Sequence, residues 1–178
     1  MGTKQIKFGL STASVQRAMA ELKAYKRWTQ EKCDELALEL AKRGTYLIRM
    51  KIAEYGAIDS GDMISAVSYP EQIEPGKYRI TLRVDNGKGD NYALFVEYGT
   101  GIKGAGKPHP EAGEAGWRYE VGEKIFTTRD GRTGWLYPTK SRTVRFTEGQ
   151  ESRPFWHDAA EELPEYIKET VKDVFKRG

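Results

Sequence analysis

The chain has 178 residues, with 29 Lys and Arg against 26 Asp and Glu and a formal net charge of +3. That length fits one domain, or one domain with an extended arm, and 38% hydrophobic residues give it a lean core. No apolar run nears the roughly 20 residues of a membrane span, the weak basic excess is not the footprint of a dedicated nucleic-acid binder, and the single cysteine, Cys33, excludes an internal disulfide and a multi-cysteine zinc site. Met1 to Ile6 contain no apolar stretch of a secretion signal, and Ile6 breaks the myristoylation pattern, so neither leader nor acyl anchor is expected. The expected organisation is one soluble domain over residues 1–178, with 101–149 as an extended loop and β arm.

In chain order, Lys4 to Phe8 reads as a short strand ending at Gly9. Ser11, Thr12 and Ser14 are candidate N-caps for a helix from Val15 to about Tyr55. Val15, Ala18, Met19, Leu22 and Tyr25 fall at helical spacing, and Cys33, Leu36, Ala37, Leu40, Leu47 and Ile48 continue the stripe. About forty residues of helix span ~60 Å, whereas a compact globule of this length is about 40 Å across. The helix therefore either breaks near Gly44 or protrudes and needs a partner. Cys33 on this stripe reads as a small apolar group rather than a nucleophile.

The middle reads as β. Ile58 to Asp62 is a turn, Met63 to Tyr69 a strand closed by Pro70, and Lys77 to Val84 alternates apolar and polar as a half-buried antiparallel strand. Asp85 to Asn91 is turn chemistry, and the apolar run Tyr92 to Tyr98 is too short to assign to strand or helix. Gly101 to about Gly149 shows no helical stripe. Within it Trp117–Val121, Ile125–Thr128 and Trp135–Tyr137 read as short strands, the last reached through a turn at Asp130–Gly131. Ser152 to Arg177 is helical again, with a kink or short first turn expected at Pro164. The fold class is thus α+β, with a long N-terminal helix and a C-terminal helix packed on an antiparallel sheet.

The chemical motifs are weak. Gly99 to Gly104 fits G-x-G-x-x-G, but Pro108 and Pro110 follow where a helix should open, so no dinucleotide cofactor is expected. Gly101 to Lys107 begins a phosphate loop, yet Pro108 stands where a magnesium-binding hydroxyl belongs. His109 and His157, the only histidines, belong to no spaced ligand set, so no metal is expected. Asp62 and Glu97 read as turn and edge residues. No nucleophile stands in a recognisable elbow, and no catalytic residue is assigned. Trp117, Tyr119, Trp135 and Tyr137 lie among Arg118, Lys124, Arg129, Arg132, Lys140 and Arg142. Such a set could stack and grip single-stranded nucleic acid. Glu114, Glu120, Glu123 and Asp130 dilute the charge, which favours aromatic packing within the arm or against another subunit.

The order of four segments resembles a known family. These are Asp59-Ser60-Gly61-Asp62-Met63-Ile64-Ser65-Ala66-Val67, then Tyr92-Ala93-Leu94-Phe95-Val96-Glu97-Tyr98-Gly99-Thr100-Gly101, then Pro108-His109-Pro110 through Gly116-Trp117-Arg118-Tyr119, and last Ser152-Arg153-Pro154-Phe155-Trp156. Together they resemble the gene-product-ten-like head–tail joining family of long-tailed double-stranded DNA bacteriophages, also called neck, tail-completion or minor capsid proteins. Met63 stands where the family has Leu, and Ala66-Val67 where it has Ser-Ile. The resemblance implies a non-enzymatic virion subunit in a homo-oligomeric ring of six or twelve copies. It would sit in the virion neck, be assembled in the bacterial host cytoplasm, and touch other head–tail connector and tail-terminator proteins. Passing contact with genomic DNA would be possible, and no membrane is involved. A closed ring needs two different patches on each subunit. The expected ones are Tyr98, Gly99 and Thr100 with the arm residues Trp117, Trp135 and Tyr137, and the corner Arg153, Pro154 and Phe155. The corner continues to Trp156, and for Phe155 and Trp156 core packing of the last helix is the competing expectation.

Overall fold

The computed structural model describes residues 5–57, 62–69, 79–84, 92–119, 124–139 and 142–176. The helices are α1 (Thr12–Glu54), α2 (Asp62–Ser65), α3 (Tyr92–Tyr98), α4 (Gly101–Gly106) and α5 (Phe155–Lys176). The strands are β1 (Val67–Ser68), β2 (Arg83–Val84), β3 (Phe126–Thr127), β4 (Thr133–Pro138), β5 (Val144–Thr147) and β6 (Gly149–Gln150). The fold is α+β, as the patterning predicts.

α1 runs unbroken for 43 residues, ~65 Å. Ser11 caps its start by accepting from the Ser14 amide, while the Ser14 hydroxyl accepts from the Gly9 amide. Its end is a Schellman turn. Gly56 takes φ +58°, its amide donates to the Ala53 carbonyl, and the Ala57 amide donates to that of Ile52. Gly44 does not break the helix. It is buried, and a Cβ there would stand 2.7 Å from Leu82 Cδ1, so the missing side chain admits Leu82 against the helix.

α5 packs antiparallel along the C-terminal part of α1. The Tyr55 hydroxyl donates to Asp158, Lys51 pairs with Glu162, and Arg43 Nη2 lies 3.0 Å from Asp173. At the far end the Trp28 and Phe175 rings meet edge to face at 6.2 Å. The core lies at the C-terminal end of α1, where Leu47, Ile48 and Ile52 meet Met63, Val67, Val96 and Phe155. Pro164 lies inside α5, which continues through it to Lys176.

Several segments depart from the sequence reading. Gln5 to Gly9 form no strand, and Met63 lies in the helical turn α2, ahead of a two-residue strand. β1 and β2 pair antiparallel, Val67 opposite Val84. Tyr92 to Tyr98, left open between strand and helix, is helical, and the supposed helix-free arm opens with α4. Trp117 to Tyr119 form no strand. The arm then forms an antiparallel meander, β3–β4–β5, with Phe126 opposite Gly134 and Leu136 opposite Phe146. The turns expected at 58–61 and 85–91 and the start of the strand at Lys77 lie outside the described residues, as does Val121.

Candidate functional site

The arm leaves and re-enters the body at one place. Thr100 bridges Gln150, and Gly101 bridges Gly149, both antiparallel. Gly99 and Gly101 have φ of +77° and +63°, a region that disfavours any residue with a Cβ. At Gly99 a Cβ would also lie 2.6 Å from the Ser152 backbone nitrogen. The Tyr-Gly-Thr-Gly run is therefore a tight corner where two backbones touch.

Glu97 organises this corner. Only 5% exposed, it receives three donors. Its Oε2 accepts from the Trp156 amide at 2.8 Å, and its Oε1 from the His157 amide at 2.9 Å. Both amides lie in the first turn of α5, so a carboxylate from α3 caps that helix in trans and meets the positive end of its dipole. The third donor is His109 Nε2, 3.0 Å from Oε1. His109 Nδ1 accepts from the Glu111 amide at 3.0 Å, so that nitrogen carries no proton and Nε2–H is the donor. Both ring nitrogens are thus committed, and the imidazole keeps no lone pair free to act as a base.

Around this pair the contacts continue. Ser152 Oγ donates to the Glu97 carbonyl at 2.7 Å, and the Arg153 amide donates to the Val96 carbonyl at 3.0 Å. Tyr98 stacks on the Trp117 ring, centroids 4.9 Å apart, and the His109 ring meets it tilted by 39° at 4.3 Å. Burial, and next the charges of Glu111 and Glu97, push its phenol pKa up. Trp117 Nε1 donates to the Gly99 carbonyl at 3.0 Å. His157 packs on His109 at 5.3 Å, and its Nδ1 lies 3.4 Å from Glu111 Oε1. Among the described residues no group of three or more His, Cys, Asp or Glu is placed to hold a metal ion.

The structure thus brings together segments that lie far apart in the sequence. Tyr98, Gly99, Thr100, Trp117, Arg153, Pro154 and Phe155 all belong to or border this node. They differ in how much surface they present in the single chain. Gly99, Thr100 and Phe155 are buried within the chain itself, Phe155 to 1% exposure, and present no surface. Tyr98, Trp117, Arg153 and Pro154 are half-buried, and Arg153 Nη1 donates to the Gly56 carbonyl. Tyr137, 40% exposed, faces outward on β4, and half-buried Trp135 lines a groove of about 630 Å³ with Ile102, Trp117, Arg118, Tyr119 and Ile125. Trp156 is 39% exposed, so it lies at the edge rather than within the core. Glu97 and His109, read from sequence as an edge residue and a bystander, are the centre. The available signal was an acid set inside an apolar run.

The second notable surface is the N-terminal part of α1. Every residue from Met19 to Arg27 is exposed, Met19, Leu22 and Tyr25 included. Among the described residues no helix is long and apolar enough to cross a membrane. No protein-family model, curated protein or solved structure matches this chain.

Proposed function

We propose that this chain is a structural, non-catalytic subunit of a homo-oligomeric ring in the neck of a long-tailed phage, joining the DNA-filled head to the tail. The observation that carries the reading is the order of the motifs, two of which, around Glu97 and around Arg153, bond to each other. The resemblance therefore rests on parts that fold as one unit rather than on scattered matches. Its support in physical terms is uncovered apolar surface. The free part of α1 and the arm residues Leu136 and Val144, 55% and 61% exposed, mark places that a neighbour would cover. In this reading the subunit assembles in the bacterial cytoplasm and meets connector and tail-terminator proteins along the DNA path. The test is to delete the gene and to image purified particles. The reading expects separate full heads and finished tails on deletion, and density for the chain at the neck in the wild type. Normal joining without the protein, or its absence from the neck, overturns it.

One observation favours a second reading, nucleic-acid binding by the arm. Exposed Arg118 lies on the aromatic groove beside Trp117, Tyr119 and Trp135. A log–log plot of DNA affinity against salt separates the two, since a flat line removes the second reading.

A further inference from the structure

We infer that the exposed N-terminal part of α1 grips the phosphate backbone of a nucleic-acid duplex through one basic face, Arg17, Lys23 and Arg27. The inference stands on α1 alone and does not depend on the neck reading. From Lys32 onward every cation of α1 has a partner. Lys32 pairs with Glu35, Lys42 with Glu39, Arg43 with Asp173 and Lys51 with Glu54 and Glu162, while Arg49 donates to the Val67 carbonyl. Arg17, Lys23 and Arg27 are exposed, and among the described residues their side chains enter no ion pair or hydrogen bond. Residues 1–30 hold six Lys and Arg against one acid, so the weak basic excess of the chain is gathered at this end.

The helix sets these cations on one side. At ~100° per residue they fall within about 120° of the circumference, with exposed Gln16, Ala20 and Ala24 between them. Glu21, the one acid from Thr12 to Gln30, lies outside that arc. The face thus offers donors and small residues that let an anionic chain come close. Its cations stand ~9 and ~6 Å apart along the axis, and a duplex strand offers a phosphate about every 3.4 Å, so each cation can take its own phosphate. No aromatic residue stands in the arc, so it has no platform for unpaired bases, which favours a duplex over a single strand. The arc also lies opposite Val15, Met19 and Leu22. A membrane surface, which needs the apolar side of a helix turned toward it, would leave these cations facing away.

Fluorescence anisotropy of the full chain with labelled DNA duplexes of two unrelated sequences, over a salt series, tests this. Equal affinity for both sequences is expected, since phosphate contacts carry no sequence information. Arg17→Gln, Lys23→Gln and Arg27→Gln should each take about one third off the log–log salt slope, ~0.9 per chain bound. The triple variant should lose at least about tenfold in affinity at low salt. Glutamine is a good helix former, so circular dichroism should stay that of the wild type. Three results overturn the inference. One is a flat slope. Another is a triple variant that binds like the wild type while Arg118→Gln releases the duplex, which gives the binding to the arm. The third is tighter binding to polyglutamate or to phosphatidylserine vesicles than to DNA, lost in the triple variant, which gives the face to an acidic protein or to a membrane.

Discussion

At Glu97 one carboxylate serves three donors on two other segments, the Trp156 and His157 amides and the His109 ring. Glu97→Gln keeps the shape but turns one acceptor into a donor facing an N–H. That should cost about 2 kcal/mol, and Glu97→Ala, which orphans all three donors, about 3 kcal/mol or more. Urea unfolding of the monomer measures both, and losses under about 0.5 kcal/mol would show that the corner is held elsewhere. Tyr55 offers a pH-dependent counterpart. Its hydrogen bond to Asp158 is the main cause, ahead of burial, of a phenol pKa pushed up to about 12. A raised folded pKa means that the bond stabilises the fold fully below the unfolded value near ~10 and is lost as the pH climbs to about 12. Tyr55→Phe should therefore cost about 1 kcal/mol at neutral pH. The gap from wild type should shrink between pH 10 and 12, and a gap that persists unchanged would refute the assignment.

At the scale of elements, α1 is two helices in one. Leu47, Ile48 and Ile52 are buried in the core, whereas Met19 to Arg27 are all exposed. An isolated helix of 12–15 residues is marginal in water, so the free part is helical mainly because the packed part nucleates it. Hydrogen exchange at a dilution where the chain is monomeric should show fast amides from Val15 to Arg27 and protection near the global limit at Leu47 to Ile52. Equal protection throughout would mean that the free part is covered after all. The sequence made α1 and α5 legible because both carry a 3.6-residue apolar period over many turns. It also made the choice at Gly44 legible as a choice, but not its outcome, since Leu82 lies 38 residues away and fills the notch. The short elements were not legible for a related reason. Tyr92 to Tyr98 and Gly101 to Gly106 are too brief to show a period, and α4 is built around glycines that a composition reading treats as loop. β5 and β6 were missed because Arg145, Glu148 and Gly149 interrupt the apolar residues. The site was half legible. Its motif residues stood out, but the bond from Glu97 to the start of α5 crosses 59 residues and leaves no local mark.

For the whole molecule, the balance of covered and uncovered apolar side chains sets the expected behaviour. Among the described residues fourteen apolar side chains are buried, six of them alanines, while nineteen large ones remain exposed. Such a chain has little cohesion of its own and much to gain from contact with copies. Assembly binds only the folded form, so mass action should stabilise the fold as concentration rises. Going from far below the dissociation constant to about 100 times above it contributes about 2.7 kcal/mol. For a chain of this size each kcal/mol moves Tm by about 2–4 °C, so the midpoint should climb by about 5–10 °C. Scanning calorimetry over a concentration series reads the effect. A midpoint that ignores concentration would mark a monomer complete in itself. One that rises with concentration by the expected amount would show that contact between copies covers apolar surface that the single chain leaves open.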